Sequence, residues 1–305
     1  MNDLGEQAKR PMDKRLAFAW PVPSRGHLRI DAEKDGARLV TRFDVSLEAV
    51  GEVLHLCLTD GRLEPEQAAL QGFDPSTLEA VMSQAMPVLV LSRDGSFQRL
   101  EGVAEAQALM AQAMERMMAQ LLAELDDETR AEVEAMQQVL LKTFSEPSAA
   151  AGISANASQL WQTCIGVWLG LELSDGERLQ RRHEQPMPGG AVVAASLLYT
   201  HHGEDSEHPG CIRISVRSEN DPEQMRSFVE QFVRARVSSM GLPLGEQALV
   251  ESNTQESELE LVLEKQSMRP RLVRSEIRSR MVYTEAMGGE VSEKHLRQDY
   301  RFDWE

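Results

Sequence analysis

Three Asp-Gly pairs interrupt the first third of the chain, at residues 35–36, 60–61 and 94–95. Asp-Gly suits the two central positions of a type I′ turn, where both residues need a positive φ. The segments beside these pairs, such as LVTRFDVSL and VLHLCL, alternate apolar and polar residues, which is typical of a strand buried on one face. The pattern therefore predicts antiparallel β-hairpins.

The last third of the chain returns to the same pattern. AVVAASLLYT and CIRISVRS predict one hairpin, SELELVLEKQSMRPRLVRSEIRSRMVYTEA predicts a longer one, and HLRQDYRFDW predicts a closing strand. Acidic residues of the long hairpin's first strand lie opposite arginines of its second, so we expect cross-strand ion pairs in place of an anion-binding face. Between the two hairpins, PEQMRSFVEQFVRARVSSMG predicts a helix whose apolar residues face inward: Met225, Phe228, Val229, Phe232 and Val233.

The middle of the chain has the composition of helices. Residues 103–144 contain no glycine or proline and are rich in strong helix formers. We expect Asp126-Asp127-Glu128 to separate two helices there, and a short helix near residues 75–86 to precede them. SEPSAAAGISANAS predicts a loop, and the apolar residues 158–172 that follow predict a helix buried on all sides.

These patterns predict an α+β fold. Antiparallel β-hairpins from both chain ends would form one or two curved sheets packed around a central helical segment. We divide the chain into an N-terminal arm that we expect to be loose (1–26), a β-rich module (27–102), a helical insert with the central buried helix (103–172), and a second β-rich module with one helix (173–305). We expect one integrated folding unit.

The charge of the chain restricts its partners. A net charge of −17 repels phosphate backbones and anionic lipid surfaces, which argues against nucleic-acid or membrane binding as the main activity. No run approaches the ~20 apolar residues that span a bilayer. The N-terminus as written lacks a secretory signal, and the three cysteines are widely spaced, so we predict a cytoplasmic protein without disulfides.

The segment THHGEDSEHPGC is the best candidate for a metal site. Its possible ligands are His201, Glu204, Asp205, His208 and Cys211. Their spacing matches no zinc motif, and the segment falls where two predicted strands must be joined. We therefore interpret it as a solvated hairpin tip and keep His201 and His208 as the alternative metal ligands.

The sequence carries no catalytic motif, neither a nucleophile elbow nor a phosphate-binding loop nor a zinc-protease helix. A metal-dependent hydrolase centred on His201 and His208 is the enzyme class that we keep open. We predict instead a non-catalytic binding protein without a cofactor. Our first hypothesis is an inhibitor or immunity protein that neutralises a basic protein partner such as a toxin. The segment from Glu101 to Glu146 holds ten acidic residues against three basic ones, so its negative charge would attract such a partner.

The alternative is a carrier or sensor of a hydrophobic small molecule, held between the Met-rich helices and the sheet. The two forms predict different binding residues. A basic partner would contact acidic side chains of the helical insert: Glu115, Glu124, Asp126, Asp127 and Glu128. A hydrophobic ligand would lie among Met114, Met118, Trp161 and Trp168.

Overall fold

A computed structural model of the chain describes residues 15–64, 86–124, 147–187, 191–239, 248–285 and 288–305. The strands of these ranges are β1 (Ser24–Lys34), β2 (Ala37–Val50), β3 (Val53–Leu63), β4 (Val88–Leu91), β5 (Phe97–Glu101), β6 (Arg178–Pro186), β7 (Val192–Glu204), β8 (Cys211–Asn220), β9 (Val250–Glu264), β10 (Pro270–Tyr283) and β11 (Val291–Trp304). The helices are α1 (Val103–Glu124), α2 (Pro147–Trp161), which continues into a π-helical turn (Gln162–Gly166), and α3 (Pro222–Ser239).

All eleven strands form a single antiparallel sheet in the order β5-β4-β3-β2-β1-β11-β10-β9-β8-β7-β6. The first and last of the described strands are neighbours inside it, because β1 pairs with both β2 and β11. Leu28, for example, lies between Phe43 on one side and Phe302 on the other. The α+β prediction is confirmed in this broad form, whereas the possibility of two curved sheets is wrong: the hairpins of both predicted modules belong to one sheet.

Two of the three Asp-Gly pairs lie at hairpin ends, as predicted. Only Asp35 and Gly36, which join β1 to β2, have a positive φ at both positions, 50° and 85°. Between β4 and β5 only Gly95 has a positive φ, of 82°, and its N–H donates to the oxygen of Ser92, so that loop is a hairpin end of another turn type. The pair at 60–61 differs, because it lies inside β3, where the register against β2 shifts and Asp60 has φ of 51°. Asp-Gly supplies a positive φ equally well to a bulge within a strand, so the pair alone does not identify a turn.

One face of the sheet carries the core. Alternate residues of the central strands point to this face and are buried, among them Leu28, Val45, Leu56, Ile214, Leu261, Val273 and Phe302. The segment after α2 packs on them. Trp168 is fully buried there, and its indole N–H donates a hydrogen bond to the carbonyl oxygen of Cys164 at 2.8 Å. Residues 158–172, which we predicted as one helix buried on all sides, comprise the end of α2, the π-helical turn and a further turn at 167–170, with Ile165 and Trp168 buried but Gln159 and Gln162 exposed.

Residues 147–161, most of which we predicted as a loop, form α2 instead. Small residues suggested flexibility, but alanine has the highest intrinsic helix propensity, and proline is favoured at the first helical position, where Pro147 stands. The predicted break at 126–128, the helix after it and residues 75–85 of the predicted short helix lie outside the described residues.

Residues 15–26 also differ from the loose arm that we predicted. The backbone N–H of Leu16 donates to the oxygen of Leu171 at 2.7 Å, and the N–H of Gly170 donates to the oxygen of Leu16 at 2.9 Å. Trp20 is buried, and its indole N–H donates to the oxygen of Met268. Apolar residues in this segment therefore fix the chain against the core before β1 begins.

The opposite face of the sheet carries charged side chains in cross-strand pairs. Arg274 on β10 contacts Glu260 on β9 and Asp299 on β11, each at 3.1 Å. Glu260 also contacts Arg213 on β8 at 2.7 Å. The cross-strand ion pairs expected for the arginine-rich strand are confirmed.

Within the described ranges, no helix combines the length and apolar content that a membrane crossing requires. Cys57, Cys164 and Cys211 are all unpaired.

Candidate functional site

The segment THHGEDSEHPGC forms the end of the β7–β8 hairpin, as its preferred interpretation predicted. Residues up to Glu204 belong to β7, and β8 begins at Cys211. Buried Asp205 organises the tip: its Oδ1 accepts hydrogen bonds from the backbone N–H groups of Glu207 and His208, and its Oδ2 accepts one from Nε of Arg213 at 2.6 Å. The acidic and basic residues of the tip thus bind one another.

His201 and His208 have separate environments. Nδ1 of buried His201 accepts the backbone N–H of Gly203 at 3.0 Å, whereas Nδ1 of His208 lies 2.9 Å from Oδ1 of Asp205. The described residues contain no group of three or more His, Cys, Asp or Glu side chains that could hold a metal ion. The geometry gives the metal alternative no support.

The electrostatics of the tip follow from burial and hydrogen bonding. Burial opposes ionisation of Asp205, but hydrogen bonds from Arg213, His208 and Glu207 outweigh it and lower its pKa to about 2. Burial lowers the pKa of His201, an effect that the carboxylate of Asp175 partly offsets. Both shifts follow from burial and hydrogen bonding at the end of the hairpin.

A polar groove of about 550 Å³ crosses the charged face beside this tip, between β7 and β10. Its two arginines are fully engaged: Arg213 lies between Asp205 and Glu260, and Arg274 between Glu260 and Asp299. Cross-strand pairing accounts for these charges without a substrate. We therefore assign no catalytic site to this face.

The four residues predicted to hold a hydrophobic ligand lie in a closely packed region. Trp168 and Met118 are buried, and the indole N–H of half-buried Trp161 donates to the oxygen of Gly95 at 3.0 Å. The cavity beside Trp161 measures about 10 Å³, too small for a ligand, and Met114 is half-buried. The cavity beside Trp161 therefore leaves no room for a ligand among the described residues, and the four residues stay a prediction.

Of the five acidic residues predicted to contact a basic partner, Glu115 is exposed on α1, and Glu124 is the last residue of that helix. Asp126, Asp127 and Glu128 lie outside the described residues. The acidic-surface hypothesis therefore stays a prediction.

A larger groove lies on the apolar side of the sheet, where α3 crosses β9 and β7. The helix begins at the sequence DPEQM. Asp221 caps it by accepting the N–H of Gln224, and Pro222 occupies the first helical position. Glu230 then fixes the helix to the start of β9, because its carboxylate accepts the N–H groups of Leu249 and Val250 at 2.9 and 2.8 Å.

The groove has an apolar wall and a floor of mixed polar and apolar side chains. Its volume is about 730 Å³. The wall consists of large apolar side chains of α3: Met225, Phe228, Val229, Phe232 and Val233. Met187 also lines the groove. The floor consists of side chains of β9, β10 and β11: Asn253, Gln255, Ser279, Met281, Tyr283 and Ser292. Glu290 and Lys294 complete the lining.

Phe232 is the most conspicuous residue of the groove. We predicted it to face inward, but 53% of its surface is exposed, while Met225 on the same helix is buried. The ring of Phe228 stacks near it, with 6.4 Å between ring centroids. The prediction for Phe232 is wrong because the apolar stripe of α3 is wider than the part of the sheet that covers it. A stripe of five large residues on an otherwise polar helix was the available indication of a binding surface.

Comparison with known proteins assigns no family: no family model matches the chain, and no curated protein matches it.

Proposed function

We propose that this chain is a non-catalytic binding protein whose ligand is a small amphiphile, an apolar molecule with one polar end, held in the groove beneath α3. The observation that carries the proposal is the groove itself: large apolar side chains of α3 form one side of a ligand-sized space, and the sheet beneath them combines hydrogen-bonding side chains with Met281 and Tyr283. This arrangement is typical of small-molecule sites, which combine an apolar lining with a few polar groups that fix orientation.

The lining indicates which part of the ligand would go where. Methionine side chains adapt to irregular apolar shapes, and Met187, Met225 and Met281 all line the groove. The amide groups of Asn253 and Gln255 offer both donors and acceptors to a polar head. The lining carries one charge of each sign, Glu290 and Lys294, and Lys294 is the group that could pair with a carboxylate or sulfonate head.

This proposal keeps the carrier hypothesis and moves its site. The ligand would contact α3 and the ends of β9–β11, because the space near Trp168 is already filled by protein.

Native mass spectrometry of protein purified without detergent tests the proposal. We expect an added mass of a lipid-like compound, released on denaturation, or stoichiometric uptake of added dodecanoic acid. A clean apo mass combined with no uptake of dodecanoic acid would contradict it.

A basic protein partner is the second candidate, supported by the net charge of −17 and by the exposed carboxylate of Glu115. Electrostatic steering would draw such a partner to the acidic insert. Affinity purification from the native host at low and high salt tests it. Recovery of a basic protein that is lost at high salt supports this form, and no salt-sensitive partner contradicts it. A cytoplasmic location stays a prediction in either form.

A further inference from the structure

The sheet ends at β6, whose sequence is RLQRRHEQP. Its side chains from Arg178 to Glu184 are exposed except that of Leu179, which is half-buried. Within the described part of the chain, Arg178, Arg181 and Arg182 make no ion pair with a carboxylate. This basic strip stands out in a chain of net charge −17.

Among the described strands, none pairs with the outer side of the β6 backbone. The N–H of His201 donates to the oxygen of Glu177, and the N–H of Met187 donates to the oxygen of Ala191, with a regular register between these bonds. In an antiparallel ladder, alternate residues exchange bonds with the neighbouring strand. Odd-numbered residues therefore bond to β7, and the N–H and C=O groups of Arg178, Gln180, Arg182 and Glu184 point away from the sheet.

The other end of the sheet differs. β5 is only five residues long, and its Arg99 is neutralised by Glu101, with Nε 3.1 Å from Oε1. Helix α2 also packs against β5. β6 is nine residues long, which is enough to pair with a second extended segment over most of its length.

We propose that β6 is a docking edge for an acidic, extended segment of a partner protein, which adds to the sheet as a twelfth strand. Backbone hydrogen bonds to the outward groups would supply affinity, as in other cases of β-strand addition. Acidic side chains on the added strand would pair with Arg178 and Arg182 on one face and with Arg181 on the other. A second copy of this chain is a poor occupant, since β6 against β6 would bring arginines together.

The alternative role of these arginines is to keep the edge from pairing with any strand, as charged residues often do. The two roles predict opposite results with an acidic peptide. We would measure fluorescence anisotropy of the full chain with the fluorescein-labelled peptide TEVEVEVT at low salt. We expect saturable binding that weakens as salt is added, and no binding of the lysine counterpart TKVKVKVT. No binding of TEVEVEVT up to about 1 mM, the weak end of specific recognition, would overturn the proposal.

Gln180 offers a matched pair of variants for the backbone bonds. Gln180→Pro removes one outward N–H and the Gln180 side chain, and leaves every charge and every backbone hydrogen bond between β6 and β7 in place. Gln180→Ala removes the same side chain, including its 2.8 Å bond to Ser196, and keeps the N–H. We expect Gln180→Pro to weaken peptide binding about fivefold relative to Gln180→Ala, which is the loss expected for one hydrogen bond. Equal affinities would show that no strand is added.

Arg182→Glu tests the charge and does not depend on the proline variant folding. Its control is Arg62→Glu, an exposed arginine on β3, far along the sheet from β6. We expect the first variant to lose affinity for TEVEVEVT and the second to keep it. If wild-type protein binds a single-stranded oligonucleotide or anionic vesicles as tightly as the peptide, β6 is a general anion-binding surface and the proposal fails.

Discussion

Nε of Arg213 donates a hydrogen bond to Oδ2 of Asp205 at 2.6 Å, and this buried carboxylate joins the tip of the β7–β8 hairpin to β8. The same carboxylate accepts two backbone N–H groups through Oδ1. Asp205, one of the possible metal ligands, therefore bonds to protein groups that hold the hairpin end together.

Asp205→Asn should lower the free energy of unfolding by about 1–3 kcal/mol, since it weakens charge-assisted hydrogen bonds to a buried group. Urea denaturation measures the loss. Asp303→Asn is the control, because Asp303 is exposed and its closest charge partner, Arg271, is 3.9 Å away. Because the pKa of Asp205 is lowered to about 2, wild-type stability should fall as pH decreases from about 4 towards 2, and the variant should lose part of that dependence. Equal stability of the two variants would contradict this role.

His201 should make the free energy of unfolding depend on pH in a higher pH range than Asp205 does. Burial lowers its pKa, and its unprotonated Nδ1 accepts the N–H of Gly203. The unfolded chain therefore binds the proton more readily, so stability should decrease as pH falls through the normal titration range of histidine, between about 7 and 5. His201→Gln should flatten the curve of unfolding free energy against pH in that range. The exposed His183→Gln is the control, and an unchanged slope for His201→Gln would contradict the assignment.

The first and last of the described strands meet where Gly26 on β1 faces Asp303 and Trp304 on β11. A Cβ atom at Gly26 would lie 2.3 Å from the carbonyl oxygen of Asp303, so Gly26→Ala must push the strands apart. We expect a loss of about 1–3 kcal/mol in unfolding free energy. Gly152→Ala in α2 meets no atom within 4 Å and should be neutral or stabilising by up to about 1 kcal/mol. Thermal denaturation of both variants distinguishes a joined sheet from separable modules, for which Gly26→Ala would be harmless.

Trp168 should act in stability and not in ligand binding. It is fully buried, and its indole bonds to the backbone of its own turn. Trp168→Ala should cost about 3–5 kcal/mol, as expected for a large core side chain. The folded fraction of the variant should bind an amphiphile as the wild type does. A small stability change with weakened ligand binding would restore the pocket that we first predicted there.

The strand pattern could be predicted from sequence because its causes are local. Alternating residues around Asp35-Gly36 and the opposed charges of β9 and β10 depend on immediate neighbours and on one pairing partner. The joining of the first and last strands into one sheet could not be predicted from sequence, because β1 and β11 are separated by most of the chain. β6 was missed because RLQRRHEQP has no apolar alternation, as expected for an exposed edge strand.

The ligand site predicted from sequence differs from the groove beneath α3 for a related reason. Met114, Met118, Trp161 and Trp168 were chosen as large apolar residues on helices, but sequence does not distinguish a filled core from an open groove. That difference depends on whether distant parts of the chain pack over the side chain. Trp168 is fully covered in this way, whereas Phe232 remains half-exposed above the sheet.

The central claim is that the groove beneath α3 binds an amphiphile, and a titration with a dansyl-labelled undecanoic acid tests it most directly. Phe232→Ser removes an exposed aromatic ring from the wall of the groove. Val50→Ser is the matched control, because Val50 is 48% exposed and lies at the end of β2, which β1, β11 and β10 separate from β9 in the sheet. We predict saturable binding to wild type, about tenfold weaker binding to Phe232→Ser, and unchanged binding to Val50→Ser. Equal affinity of Phe232→Ser and wild type, or no saturable binding at all, would contradict the account.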